Sequence, residues 1–244
     1  MRTVPFLRAR WRFVAILNYD VERSALAALV PRGTELDEWR GHTYLSVVGF
    51  LFQGTRVLGL PIPFHRDFEE VNLRFYVRRK TDEGWRRAVV FVKEMVPRTA
   101  IAMVARALYN ENYVAVPMSH DFKRALDGSK RIESVSYRWT LAGRQNRLSL
   151  SVGCDPGPLV SGSREEFIAE HYWGYSVQRD GGTCEYQVKH PPWRVAPAIH
   201  AELDCDVDRV YGDALGQFLR ARPVSAFLAE GSEVTVSHGV RLVG

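Results

Sequence analysis

Over residues 68–78 the side chains alternate almost without exception, and this run constrains the fold more than any other part of the chain. Val71, Leu73, Phe75 and Val77 fall on one side and Glu70, Asn72, Arg74 and Tyr76 on the other, the two-residue period of a β-strand. The turn-forming segment Thr81, Asp82, Glu83, Gly84 leads into a second β-type run over 85–96, so the two runs are expected to pair as a hairpin. At a rise of ~3.3 Å per residue, Glu70 and Arg74 stand ~13 Å apart and cannot pair along a straight strand. If their face is interior, each needs a cross-strand partner, water or a ligand, because a lone buried charge is costly. If it is exposed, they are ordinary surface charges.

The rest of the chain reads as short strands interrupted by single helices. Asp20 looks like the N-cap of a helix running to residue 30, stopped by Pro31 and Gly33. Strand patterns cover 42–57, 133–141, 147–153, 185–190, 194–204 and 233–242, with a rigid Gly/Pro loop over 58–63. Pro97 suits the first turn of a helix carrying Ile101, Val104, Ala105 and Leu108. Ser163 caps a short helix to residue 169, and Val207, Val210, Tyr211, Ala214, Leu215 and Phe218 form a continuous helical stripe over 206–219. Such an order implies an α+β chain with an antiparallel, β-dominated sheet rather than a doubly wound one.

Composition narrows the function classes. A chain of 244 residues, 46% hydrophobic and without a linker-like shift, can bury a sizeable core and reads as one domain over 1–244. Arg8, Arg10 and Arg12 break up the N-terminal apolar run, and no stretch approaches the ~20 apolar residues of a membrane helix, so a soluble, cytoplasmic protein is expected. Cys154, Cys184 and Cys205 lack metal-ligand or disulfide-framework spacing, and His65, His171 and His190 lack zinc spacing. The net charge of +5 is interleaved with acids, as at Arg164, Glu165 and Glu166, which reads as a mixed surface and not a nucleic-acid footprint. Lysine occurs only at positions 80, 93, 123, 130 and 189, and any imine chemistry must draw on those five.

The run H-R-D-F-E-E-V-N-L-R-F-Y-V-R-R from His65, followed by V-V-F-V-K-E-M-V-P-R-T-A-I-A-M-V-A-R-A-L-Y-N-E-N-Y-V-A-V-P-M to Met118, resembles the YqjF-like family of uncharacterised proteins, itself similar in fold to acetoacetate decarboxylase. H-Y-W-G-Y at 171–175 and H-P-P-W at 190–193 look like signatures of the same group. The resemblance implies an acetoacetate decarboxylase-like antiparallel, cone-like, partly closed β-barrel with peripheral helices. It aligns Glu70 with the acidic residue that opens a central strand and lines the decarboxylase cavity. It also places residues 109–118, with Glu111 and Tyr113, where those enzymes carry their active-site loop. That segment holds no lysine, so the Schiff-base route of the decarboxylases is not expected.

Glu70 and Glu111 are therefore the candidate catalytic residues, and Arg74, Asn72, Tyr113, His171 and Trp173 the candidate ligand-binding ones. Lys93 is the one lysine inside an apolar strand, and the hairpin register leaves either Lys93 or Glu94 across from Glu70. Strand parity would turn His171 and Trp173 to one side as an aromatic wall. Three functions stay open. The first is a protein that binds a small organic acid or carbonyl compound; the second is a lyase or isomerase using Glu70 in non-covalent acid/base chemistry. The third is an interaction module with a filled core. Nothing in the sequence calls for a cofactor or a metal, the partner implied is a small-molecule ligand and neither nucleic acid nor membrane, and homo-oligomerisation is left open.

Overall fold

The computed structural model describes residues 5–61, 66–99, 110–126 and 131–242. Seventeen strands carry most of the described chain: β1 (Leu7–Val21), β2 (Glu35–Leu36), β3 (Thr43–Val57), β4 (Leu60–Pro61), β5 (Phe68–Thr81), β6 (Gly84–Val96), β7 (Tyr113–Ala115), β8 (Met118–Arg124), β9 (Ile132–Leu141), β10 (Arg144–Val152), β11 (Gly157–Pro158), β12 (Trp173–Val177), β13 (Thr183–Lys189), β14 (Arg194–Asp204), β15 (Ser225–Ala229), β16 (Glu233–Val236) and β17 (Val240–Arg241). Among the described residues, four short α-helices join them: α1 (Arg23–Leu26), α2 (Arg164–Ala169), α3 (Val207–Tyr211) and α4 (Asp213–Leu219). Among the described residues, no helix is long and apolar enough to cross a membrane.

The strand pairings form a circuit. β1 pairs with β3, β3 with β5 and β5 with β6, all antiparallel; β6 continues to β12 in parallel, β12 to β13, β13 to β16, and β16 returns to β1. Two seams of this ring are narrow. β6 meets β12 only at Ala88 and Val89, and β13 meets β16 only at Val188 and Lys189, so the barrel is partly closed. A second antiparallel layer branches from β1 through β15, β14, β10 and β9 to β8. The branch falls where β1 changes partner from β16 to β15, at Phe13, whose φ of 54° marks a local break in the extended chain.

Strand β5 is buried on both faces, as an inner strand between two layers must be. Val71, Leu73, Phe75 and Val77 are fully buried against Tyr137, Trp139, Leu148 and Leu150 of the second layer and against Val210 and Leu215 of α3 and α4. Each such side chain contributes ~1.5–3 kcal/mol on leaving water. The opposite face looks into the barrel, where Phe68 and Tyr76 pack with Val48, Phe50, Phe167 and Ile168.

Several predicted elements need correction. Residue 20 caps no helix: β1 runs through Asp20, which pairs in the ladder with Tyr44 and holds the His42 imidazole at 2.7 Å. The helix that follows spans only Arg23–Leu26, with Glu22 at its N-cap position and no side-chain cap bond. The 206–219 stripe is two helices rather than one, because Gly212 turns the chain at a φ of 85° that a helix cannot hold. The final strand is interrupted, as Glu233–Val236 and Val240–Arg241. Ser163 does cap α2, accepting from the Glu166 N–H at 3.1 Å. The helix expected after Pro97 lies outside the described residues, as do His65 and Lys130.

Candidate functional site

The hairpin register decides what faces Glu70. Asn72 stands opposite Glu94, and Leu73 opposite Lys93. The even-numbered residues of β5 thus share the barrel interior with Glu94, and Lys93 turns to the other side. There its ammonium donates to the Val210 carbonyl of α3, and burial lowers its pKa. β7 runs parallel to β6, pairing Tyr113 with Glu94, and the Glu94 N–H donates to the Asn112 carbonyl at 3.0 Å. These backbone bonds bring Glu111 and Tyr113 alongside the hairpin, next to residues some forty positions earlier.

Three glutamates meet inside. Glu70, Glu94 and Glu111 are 2%, 1% and 9% exposed, and none of them has an ion-pair partner among the described residues. Their partners are neutral donors. Asn72 Nδ2 donates to Glu70 Oε1 at 2.9 Å, the Tyr113 hydroxyl to Glu70 Oε2 at 3.2 Å, and the Tyr186 hydroxyl of β13 to Glu111 Oε1. Glu94 is held between the other two carboxyls, both of which disfavour its ionised form. Its Oε2 and the Asn72 Oδ1 are buried without a hydrogen-bond partner among the described residues.

Electrostatics follow from this dryness. Burial, the largest influence, pushes the Glu70 carboxyl up to about 7, the nearby Glu111 charge adding to it and the Asn72 and Tyr113 hydrogen bonds opposing it. Arg74 lowers it least, in keeping with the ~13 Å between positions four apart on a strand. Glu111 is likewise raised by burial to about 7, with Tyr186 and Glu94 holding it down. Glu94 is raised well above the carboxylate range by burial and by both neighbouring carboxyls. Two carboxyls with pKa values near neutrality are fitted to give and take protons at neutral pH.

Further along the same face, Arg74 is 8% exposed. Its guanidinium reaches the Ile168 carbonyl at 3.4 Å and lies 5.6 Å from the Tyr76 ring centre, while its Nε has no partner among the described residues. Beyond Tyr76 sits His171, its ring 4.6 Å from that of Tyr76. Asp37 takes a 2.7 Å bond from Arg87 Nε and lies 3.5 Å from His171 Nε2. Burial lowers the His171 pKa to about 4, outweighing Asp37, so the imidazole is neutral; its Nε2 also lies 3.3 Å from Arg87 Nη2, a donor, and its Nδ1 has no partner among the described residues. Asp37, although burial pushes it up, is held below its ordinary value by His171 and Arg87.

Of the residues singled out from the sequence, Glu70 is bonded by Asn72 and Tyr113, the Glu111 carbonyl accepts from the Tyr113 N–H at 3.0 Å, and Arg74 and His171 follow along the same interior face. Trp173 is not beside His171. Residue 171 precedes β12, so strand parity does not extend to it; Trp173 packs on the layer side, with the Arg86 guanidinium 4.2 Å from its ring centre. Sequence reasoning missed Tyr186 as a member of the cluster and left Glu94 as an alternative to Lys93. Glu94 was recoverable from hairpin parity once the register was known. Tyr186 carried a fainter signal in Gly174, where a Cβ would stand 2.5 Å from the Tyr186 hydroxyl, so the glycine leaves room for that phenol. Among the described residues, no group of His, Cys, Asp and Glu is disposed to hold a metal ion.

A partly closed antiparallel barrel with a second layer and an interior acid cluster places the chain in the acetoacetate decarboxylase-like fold class. MppR, an enduracididine biosynthesis enzyme solved in complex with pyruvate, superposes with a TM-score of 0.70 at 14% identity, covering 100% of this chain and 92% of its own. Acetoacetate decarboxylase from Legionella pneumophila superposes with a TM-score of 0.66 at 12% identity, covering 98% and 87%. The chain belongs to the DUF2071 family of uncharacterized conserved proteins, whose model matches residues 8–233. A relative within reach of sequence comparison is the uncharacterized protein YqjF of Bacillus subtilis, 26% identical over 211 residues, or 84% of this chain and 79% of YqjF.

Proposed function

We propose that this chain binds a small organic acid or carbonyl compound inside the barrel, between the Glu70 cluster and Arg74, without forming a covalent bond to a lysine. The observation that carries this reading is the presence, on one buried strand face, of a guanidinium Nε without a partner among the described residues and of the Glu70 carboxyl poised near neutrality. Arg74 Nε offers a charged hydrogen bond to a carboxylate or carbonyl oxygen, worth more than a neutral one in a dry site. Glu70 and Tyr113 orient the rest of the molecule. That the similarly folded MppR is solved in complex with pyruvate supports a ligand of this class.

A second reading, a lyase or isomerase using Glu70 with Glu111 for proton transfer, is favoured by the two carboxyl pKa values of about 7. The two are separated by calorimetric titration and turnover assays with pyruvate, acetoacetate and related hydroxy acids. A binder gives saturable heat without product, weakened at least tenfold by Arg74→Met; an enzyme gives product that Glu70→Gln abolishes. Neither heat nor product across the panel would overturn both, leaving an interaction module. The cytoplasmic setting belongs to the same proposal.

A further inference from the structure

We propose that the open edge of β14 takes up an extended peptide from a partner protein, as one more strand of the second layer. The site is separate from the barrel interior and independent of what binds there. It begins at Pro197. Up to that residue β14 pairs with β15; from Ala198 to Asp204 the ladder to β10 is the only one it keeps among the described residues. Pro197 has no N–H with which to continue the β15 ladder, and a bulge at Ile199, between the pairs His200–Ser151 and Ala198–Val152, bends the strand away into the second layer. β15 stays with β1, where Ser225 and Ala226 pair with Asn18 and Leu17. The two strands part, and the cleft they leave has a volume of about 880 Å³.

The walls of this cleft are main chain with little in front of it. Ala198, Ala201 and Ala226 line it with methyl groups, and a strand paired on one side alone directs every second N–H and C=O to the other. Over Ala198 to Asp204 that edge is about 20 Å long. Neither lysine nor proline guards it, as edges that must stay unpaired are commonly guarded. Ile199, in the wall of the cleft, is 75% exposed. Tyr19 also lines the cleft but is 1% exposed, and its hydroxyl has no hydrogen-bond partner among the described residues. Burial raises the pKa of that phenol, so it remains a donor. A buried donor left unmatched is costly, and a carbonyl oxygen entering the cleft supplies its acceptor.

These features select a peptide over other occupants. An apolar small molecule would leave the edge amides and carbonyls unmatched, whereas a second extended backbone offers donors and acceptors at the strand's own spacing. Charge adds a preference. Among the lining residues, Arg144 is held by Asp204, Glu202 by Arg147 and Arg220 by Asp208, while Arg222 has no ion-pair partner among the described residues. An acidic residue at one end of the peptide completes that guanidinium.

The test uses the isotope-labelled full chain and, as probe, an acetylated and amidated peptide that alternates valine with threonine and ends in glutamate. Titration should saturably move the amide signals of residues 198–204, 225 and 226 and slow their hydrogen exchange. Methylating the peptide nitrogens along one edge should weaken binding about tenfold more than methylating the other, because one edge faces β14. A terminal lysine in place of the glutamate should weaken it about threefold, and Arg222→Glu should invert that preference. Tyr19→Phe should weaken it about threefold without loss of stability, since the free hydroxyl has no bond to lose. No saturable shift at those amides, equal loss from methylating either edge, an affinity unmoved by Tyr19→Phe, or a charge preference unmoved by Arg222→Glu would each overturn the proposal. So would slow exchange at residues 198–204 in a free protein that sediments as a dimer, which would give the edge to a second copy of the chain. If Tyr19→Phe fails to fold, the other measurements decide.

Discussion

Replacing Glu70 by glutamine should change how the stability of the protein responds to pH, and the size of the change follows from the burial of one carboxyl. In the folded chain this group is raised from 4.5 to about 7. The fold therefore prefers its acid form. The stability it contributes is fully present below pH 4.5, its unfolded value, and is lost as pH rises through about 7. At 1.36 kcal/mol per pH unit this amounts to ~3 kcal/mol. Glu70→Gln keeps the shape and cannot ionise. Its Nε2 can donate to the Tyr113 hydroxyl oxygen where Glu70 accepted, so the residual cost of substitution is independent of pH. Urea unfolding of both proteins between pH 4.5 and 8.5 should show the wild type losing about 3 kcal/mol relative to the variant, with unchanged denaturant slope. Parallel stability profiles across that range would refute the reasoning, because they would mean that the carboxyl is hydrated in the folded state.

On the acid side, His171 works in the opposite sense. Its pKa is lowered to about 4, so the neutral form is favoured, and its contribution, present above pH 6.5, is lost as pH falls through 4; histidine NMR should show one imidazole still neutral at pH 5.5, and titration of every ring near 6.5 would contradict this. Gly174→Ala should push Tyr186 off Glu111, costing ~1–3 kcal/mol in unfolding experiments and raising the Glu111 pKa further; a neutral effect on both would mean that Tyr186 does not depend on the missing side chain. Borohydride treatment with acetoacetate should leave no mass increment, since Lys93 lies outside the barrel interior against Val210, and a stable adduct at Lys93 would show that the register is wrong.

Sequence and tertiary structure contributed different things, and β5 shows the division. Its two-residue period places Glu70, Asn72 and Arg74 on one face wherever the strand lies, because alternation is a local consequence of extended backbone geometry. Whether that face meets water is not local. It depends on β3 and β6 closing around it, on the second layer covering the other side, and on a register that a single bulge between Leu73 and Arg74 can shift. The same split explains the errors. β1 was missed although Leu7 to Phe13 alternate with arginines, because the run from Phe13 to Leu17 is continuously apolar and its extended form is imposed by β3 on one side and, on the other, by β15 and β16, more than two hundred residues along the chain. Gly212 broke a helix whose apolar stripe ran through it unbroken, since a hydrophobic pattern records which side is buried and not whether the backbone turns. The chain alone determined the family, the β-dominated class and the polar face at Glu70. Only the tertiary structure brought Glu94, Glu111 and Tyr186 against it, because they come from strands and loops whose contact depends on long-range closure, and it is that enclosure, by excluding water, which gives the carboxyls their chemistry.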